Sequence, residues 1–208
     1  MAYQKLTIPL ATASDVRELV EQQIDPLLHD VHAMLRLPMK NDAGLEAGCN
    51  LTSVLVLLAV VDGVATRLHR NQHPSDNGTS FERCLDDYFP WDEEPNVGGR
   101  IVGSEASAIL YRAHRDALVH NLGGIRNQDF LADTKILKGP LTEDEIESIE
   151  QSRSRPSHWG VPTLRRTNEN GSTEQKLIVK CFYWGVRRMI ESALKARVRL
   201  AEQAQSGP

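Results

Sequence analysis

The chain has 208 residues, a quarter of them charged, and a formal net charge of −4 at pH 7. That length suits one domain with a sizeable core, and the slight acidic excess excludes a bulk basic surface for gripping long nucleic acid while leaving room for a local basic groove. Aromatic residues make up only 5% of the chain, too few for platforms on which successive bases stack.

Cys49, Cys84 and Cys181 lie far apart and form no paired metal spacing. Their odd number fits a reducing compartment, so a cytoplasmic location is expected. No basic-then-apolar signal pattern opens the sequence. The strongly apolar run 51–61 is ended by Asp62 and Gly63, well short of a membrane span, and reads as a buried helix. Asn-x-Ser/Thr triplets at Asn50, Asn77 and Asn170 carry no weight without a secretion signal.

In chain order, residues 1–11 read as extended or loose, with Pro9 unable to donate a backbone bond. Val16, Leu19, Val20, Ile24, Leu27, Leu28, Val31, Met34 and Leu35 then recur at helical spacing up to Pro38. Pro26 lies inside that pattern and predicts a kink rather than two helices. His29 and His32 fall near the apolar face. After a connector over 38–48, a second helix runs from about Glu46 or Asn50 to Leu68, apolar nearly all round, as a central bundle helix would be. Asp62 either reaches solvent near its end or needs an arginine or histidine partner from residues 111–121.

Residues 71–80 read as a polar loop, 81–89 as a short helix, and 90–100 as a connector in which Gly98-Gly99 is a turn. Ser104 is a candidate cap for a helix through Ala106, Ile109, Leu110, Ala113, Ala117 and Leu118, stopped by Gly123-Gly124. Beyond Ile125 the pattern degrades. A short helix is expected over 141–149, and a basic, proline-broken stretch over 153–166 carries His158 and Trp159. A hairpin pairs 163–167 with 175–179 around the turn residues 168–171. The last helix begins near Val179 or Cys181 and runs to about Ala201, with 202–208 frayed. Phe182, Val186, Met189, Ile190, Ala193, Leu194 and Val198 line one face. Arg187, Arg188, Lys195, Arg197 and Arg199 form a basic stripe on the other, either a solvated face or an RNA-binding surface. The expected architecture is all-α: a single helical-bundle domain over about 12–201, with a small irregular or β-hairpin insert at about 125–178 before the C-terminal helix.

The run 111–124, YRAHRDALVHNLGG, concentrates the chemistry. An arginine and a histidine close together suit metal-free cleavage of an RNA backbone. The ribose 2′-hydroxyl attacks the adjacent phosphorus and needs a base near neutral pH, which the histidine pKa of about 6.5 allows. Charge growing on the phosphorane oxygens needs a fixed cation, and the guanidinium fork supplies one. Arg115 and His120 are the candidate pair. Asp116, four residues before His120, shares its helical face and can fix the imidazole tautomer or orient the arginine. Arg112, His114 and Asn121 are the neighbouring candidates for RNA contact. Arg115 and His120 stand about 140° apart on an ideal helix, so they converge only if the geometry changes or a second subunit contributes. The structural alternative makes Arg115 and Asp116 surface residues and lets His120 bond last-turn carbonyls. No third ligand accompanies His114 and His120, so no metal is expected, nor any cofactor. Serine-nucleophile, P-loop and zinc-deaminase patterns are absent.

The segment Arg115-Asp116-Ala117-Leu118-Val119-His120 resembles the Arg-polar-x-x-x-His motif of HEPN domains. The order of helices around it is similar to that family's as well. The resemblance covers about 15–122 plus the last helix. It departs from the family in having aspartate where asparagine is commoner, and in its insert over 81–100. It implies an all-α bundle, commonly a homodimer with motifs meeting in a shared cleft. It further implies a metal-independent endoribonuclease of toxin or antiviral-defence type acting on single-stranded RNA, with an antitoxin or other regulatory protein as partner and no membrane. The alternative it leaves open is a non-catalytic HEPN-like helical module for dimerisation or for binding nucleotide, RNA or protein.

Overall fold

The computed structural model describes residues 3, 5–6, 14–36, 50–69, 77–91, 100–101, 103–112, 134–137, 163–167 and 173–205. These are mainly helical. Helix α1 (Ser14–Leu19) passes through a π-helical turn, Val20–Ile24, straight into α2 (Asp25–Arg36). Pro26 follows this turn and has no amide to donate to it, and the Asp25 amide closes the wider turn onto Val20 O. The path is one continuous helical run rather than two separate helices, as expected, with a π turn just before the proline.

Helix α3 (Asn50–Leu68) is central: α2, α4 (Asn77–Tyr88) and the last helix, α6 (Val179–Gln205), all pack against it. Val54, Leu57, Leu58, Val60, Val61, Val64 and Ala65 are buried along it, while Thr52, Ala59 and Thr66, exposed and seven residues apart, with exposed Arg67 beside them, mark one narrow solvent strip. Asp62 is half-exposed beside that strip. Helix α4 starts at Asn77, inside the stretch 71–80 expected to be loop. Its polar first turn is permitted because amides there need no intrahelical partner. Helix α5 (Gly103–Ile109) follows a two-residue strand, β1 (Arg100–Ile101), and Gly103 supplies the left-handed backbone (φ 62°) between them.

Strands β3 (Thr163–Thr167) and β4 (Thr173–Ile178) pair antiparallel, where the hairpin was expected. They are joined by β1, antiparallel to β3, and by β2 (Thr134–Leu137), parallel to β4, in the order β1-β3-β4-β2. Two flanking strands thus extend the hairpin into a small sheet. Their short lengths carry too few alternations to announce them in sequence. Leu177 of β4 enters the helical core, and the chain continues without a break into α6. That helix runs to Gln205, past the fraying expected from Glu202, because Ala201 to Gln205 are all good helix formers. The expected helix over 141–149 and the His158 and Trp159 stretch lie outside the described residues.

Candidate functional site

Helix α5 carries the chain towards the arginine–histidine run. Its anchor is Ser107, buried, with Oγ 2.6 Å from Asp86 Oδ1 of α4 and 3.1 Å from Gly103 O. Leu110 is fully buried, and the Tyr111 ring lies against Phe81 at 5.5 Å between centroids. Arg112, one of the candidate RNA contacts, is exposed. His114, Arg115, Asp116, His120 and Asn121 lie outside the described residues.

The basic stripe on α6 is largely consumed inside the fold. Arg187 is buried, 7% exposed, with Nη1 donating to Tyr183 Oη at 3.3 Å. Arg188 pairs with Glu191 at 2.8 Å and sits over the Trp184 ring. Arg197 donates to Leu68 O, supplying the last carbonyls of α3 with a cation at the negative end of the helix dipole. Only Lys195 and Arg199 of the five stay exposed. The stripe is therefore a solvated face only in part, through Lys195 and Arg199. The long stem of Arg197 lets its head reach a neighbouring helix, which a helical-wheel reading does not register.

The densest polar cluster among the described residues lies elsewhere, between α2, α6 and the segment carrying Tyr3 and Leu6. Asp25, 8% exposed, accepts from both Tyr3 Oη and the Leu6 amide at 3.1 Å, through the same oxygen Oδ1. The Arg187 guanidinium stands over the Tyr3 ring at 5.0 Å and over Tyr183 at 5.8 Å. His29 and His32 meet the Tyr3 ring at 5.0 and 5.5 Å, and His32 reaches Tyr183 at 6.5 Å. Burial raises the Tyr3 phenol above its ordinary range; Arg187 opposes this, while Tyr183 and Asp25 add to it. The hydroxyl is thus a permanent donor to Asp25 rather than a titrating group. Sequence periodicity placed the two histidines near the apolar face but missed the cluster. Its available signal was opposite charge at inward positions of two helices: Asp25 beside Ile24 and Leu28, and Arg187 beside Val186 and Ile190.

A second mixed group closes the end of α3. His69 is held by its amide to Ala65 O at 3.0 Å, and its Nε2 is buried with no hydrogen-bond partner among the described residues. Burial, then the charge of Arg83, lowers its pKa; Asp87 opposes, and Arg197 lowers it further, so the ring is neutral at pH 7. Cys84, on the adjacent face of α4, is buried with Sγ 3.9 Å from Met189 Sδ, and burial with the Asp87 charge pushes its thiol up to about 12. It is a packing residue, not a nucleophile.

Among the described residues, no group of three or more histidine, cysteine or acidic side chains is arranged to hold a metal ion, and no helix is long and apolar enough to cross a membrane. No family model, curated protein or solved structure matches the chain.

Proposed function

We propose that the chain is a metal-independent endoribonuclease of toxin or antiviral-defence type, built as a HEPN-like bundle and acting as a cytoplasmic homodimer. Arg115 stabilises the phosphorane charge, His120 is the general base towards the 2′-hydroxyl, and Asp116 orients one of them. Arg112, His114 and Asn121 hold the RNA strand, and an antitoxin-like protein is a natural regulator of such an activity. The observation that carries the reading is the Arg115-x-x-x-x-His120 spacing in the sequence, which begins three residues after exposed Arg112; the element before it is held by Ser107, Leu110 and Tyr111. Rigid anchoring of the element that leads into a catalytic run limits the misplacement that makes such sites slow.

Single-stranded RNA incubated with the chain in chelator is cut to products with 2′,3′-cyclic phosphate ends. Arg115→Ala and His120→Ala each abolish cutting while keeping wild-type helicity. Full activity in either variant removes the mechanism.

One observation favours a second reading, a non-catalytic helical module for dimerisation or for binding nucleotide, RNA or protein. Three of the five cations of the α6 stripe, Arg187, Arg188 and Arg197, are engaged within the fold. That module cuts no RNA in the same assay.

A further inference from the structure

A cleft opens where the π turn faces α3 and α6. Val20 and Ile24 of the turn, Val64 and Leu68 of α3, and Ala193 and Leu194 of α6 line it. Pro26 gives the turn a local cause, its missing amide, but nothing in the proline requires a gap beside it. Ala193 is the smallest of the lining side chains, so α6 leaves space where a leucine would reach across. The space is about 310 Å³ out to its open mouth, yet narrow enough that a water-sized sphere finds room for its centre in only about 20 Å³ of it. The walls are closed to water: Val20, Ile24, Ala193 and Leu194 are 2–4% exposed.

Charge enters only at the mouth. Arg67, exposed in the last turn of α3, is the one charged residue among those lining the cleft. Its stem contributes to the apolar wall while its head stays at the rim. The guanidinium makes no hydrogen bond or ion pair with any described residue. The acid of the π turn, Glu21, is held instead by Arg17 at 3.3 Å, and Arg197 is committed to Leu68 O. Among the described residues, the mouth therefore keeps an unneutralised cation beside a crevice of aliphatic side chains.

We propose that this cleft binds an unbranched aliphatic carboxylate, its chain between the π turn, α3 and α6 and its head at the Arg67 guanidinium. The narrow width suits methylenes in file and refuses a ring. The apolar walls offer a hydroxyl or amide no partner, so the polar group of the ligand belongs outside them. A carboxylate at the rim matches the fork of Arg67, and each methylene that enters the cleft leaves water. The inference stands on the helices alone and does not depend on RNA cleavage.

The test is a calorimetric titration of the full chain with sodium octanoate at pH 7. One site saturates. Butanoate binds at least tenfold more weakly, because fewer methylenes leave water, and octylammonium at least tenfold more weakly, because its head meets a like charge. Arg67→Glu lowers octanoate affinity at least tenfold and raises that of octylammonium. Ala193→Leu fills the cleft and lowers octanoate affinity at least tenfold at wild-type helicity. No saturable heat at millimolar octanoate, or an affinity that either folded variant leaves unchanged, overturns the proposal. So does binding at several equal sites, the behaviour of a detergent-like anion on any apolar surface. Should Ala193→Leu unfold, Arg67→Glu decides alone, because an exposed arginine is replaced without touching the core.

Discussion

Gly185 offers the sharpest test of the core. It lies in α6 where the Phe89 ring crosses the helix, and a Cβ built there falls on the ring atoms Cζ and Cε2 and only 2.8 Å from Cε1. The ring cannot swing aside freely: it is 4% exposed, with the Trp91 ring tilted against it at 4.4 Å and Phe182 at 6.3 Å. Trp91 is itself fixed by Nε1 donating to Leu85 O at 3.0 Å and by its amide to Phe89 O at 2.8 Å. Two effects of opposite sign compete in Gly185→Ala. Replacing glycine inside a helix stabilises by about 1 kcal/mol. Forcing a methyl into a filled site costs about 1–3 kcal/mol, and overlap this deep belongs at the upper end. The net expectation is a loss of about 2 kcal/mol, which for a chain of this size lowers Tm by roughly 4–8 °C. In a Phe89→Ala background the obstacle is gone, and the same substitution should stabilise by up to about 1 kcal/mol. The double-mutant cycle, read by urea unfolding and circular dichroism, therefore predicts a change of sign. Gly185→Ala as stable as wild type, or the same loss in both backgrounds, refutes the contact reasoning.

Alkaline pH should destabilise the fold. Cys84 keeps its proton in the fold up to about 12 against an ordinary value of 9.0, so the unfolded chain ionises first. Stability is intact below about pH 9 and is lost as pH rises towards 12, with the raised phenols of Tyr3 and Tyr88 acting in the same sense. Helicity followed from pH 8 to 12 should fall, and Cys84→Ala should shift that fall to higher pH; an unchanged curve denies the buried thiol its part. At pH 8 the native Cys84 thiol should ignore a disulfide reagent that reacts with it at once in denaturant. Arg197→Ala removes the cation from the end of α3 and should cost about 1–2 kcal/mol in urea unfolding. Arg199→Ala, exposed on the same helix, should cost under about 0.5 kcal/mol, and equal effects would show that the Leu68 carbonyl bond contributes nothing.

The helices were legible because burial imposes a period. Val54 to Ala65 on α3 and Phe182 to Leu194 on α6 repeat apolar residues at helical spacing, and those residues form the core. The β3–β4 hairpin was legible for the same local reason, the turn residues between two strand-like runs. The arginine–histidine run is visible as a motif because its spacing is a property of the chain alone, and its three-dimensional relation lies beyond the described residues. Partnerships between distant segments were not legible. Nothing local joins Tyr3 to Asp25 and Arg187, Arg197 to Leu68, or Phe89 to Gly185. Period and propensity fix which face of an element is apolar, because water acts on each residue where it stands. Only the tertiary arrangement decides which buried charge meets which donor, because that depends on how elements separated along the chain are brought into contact.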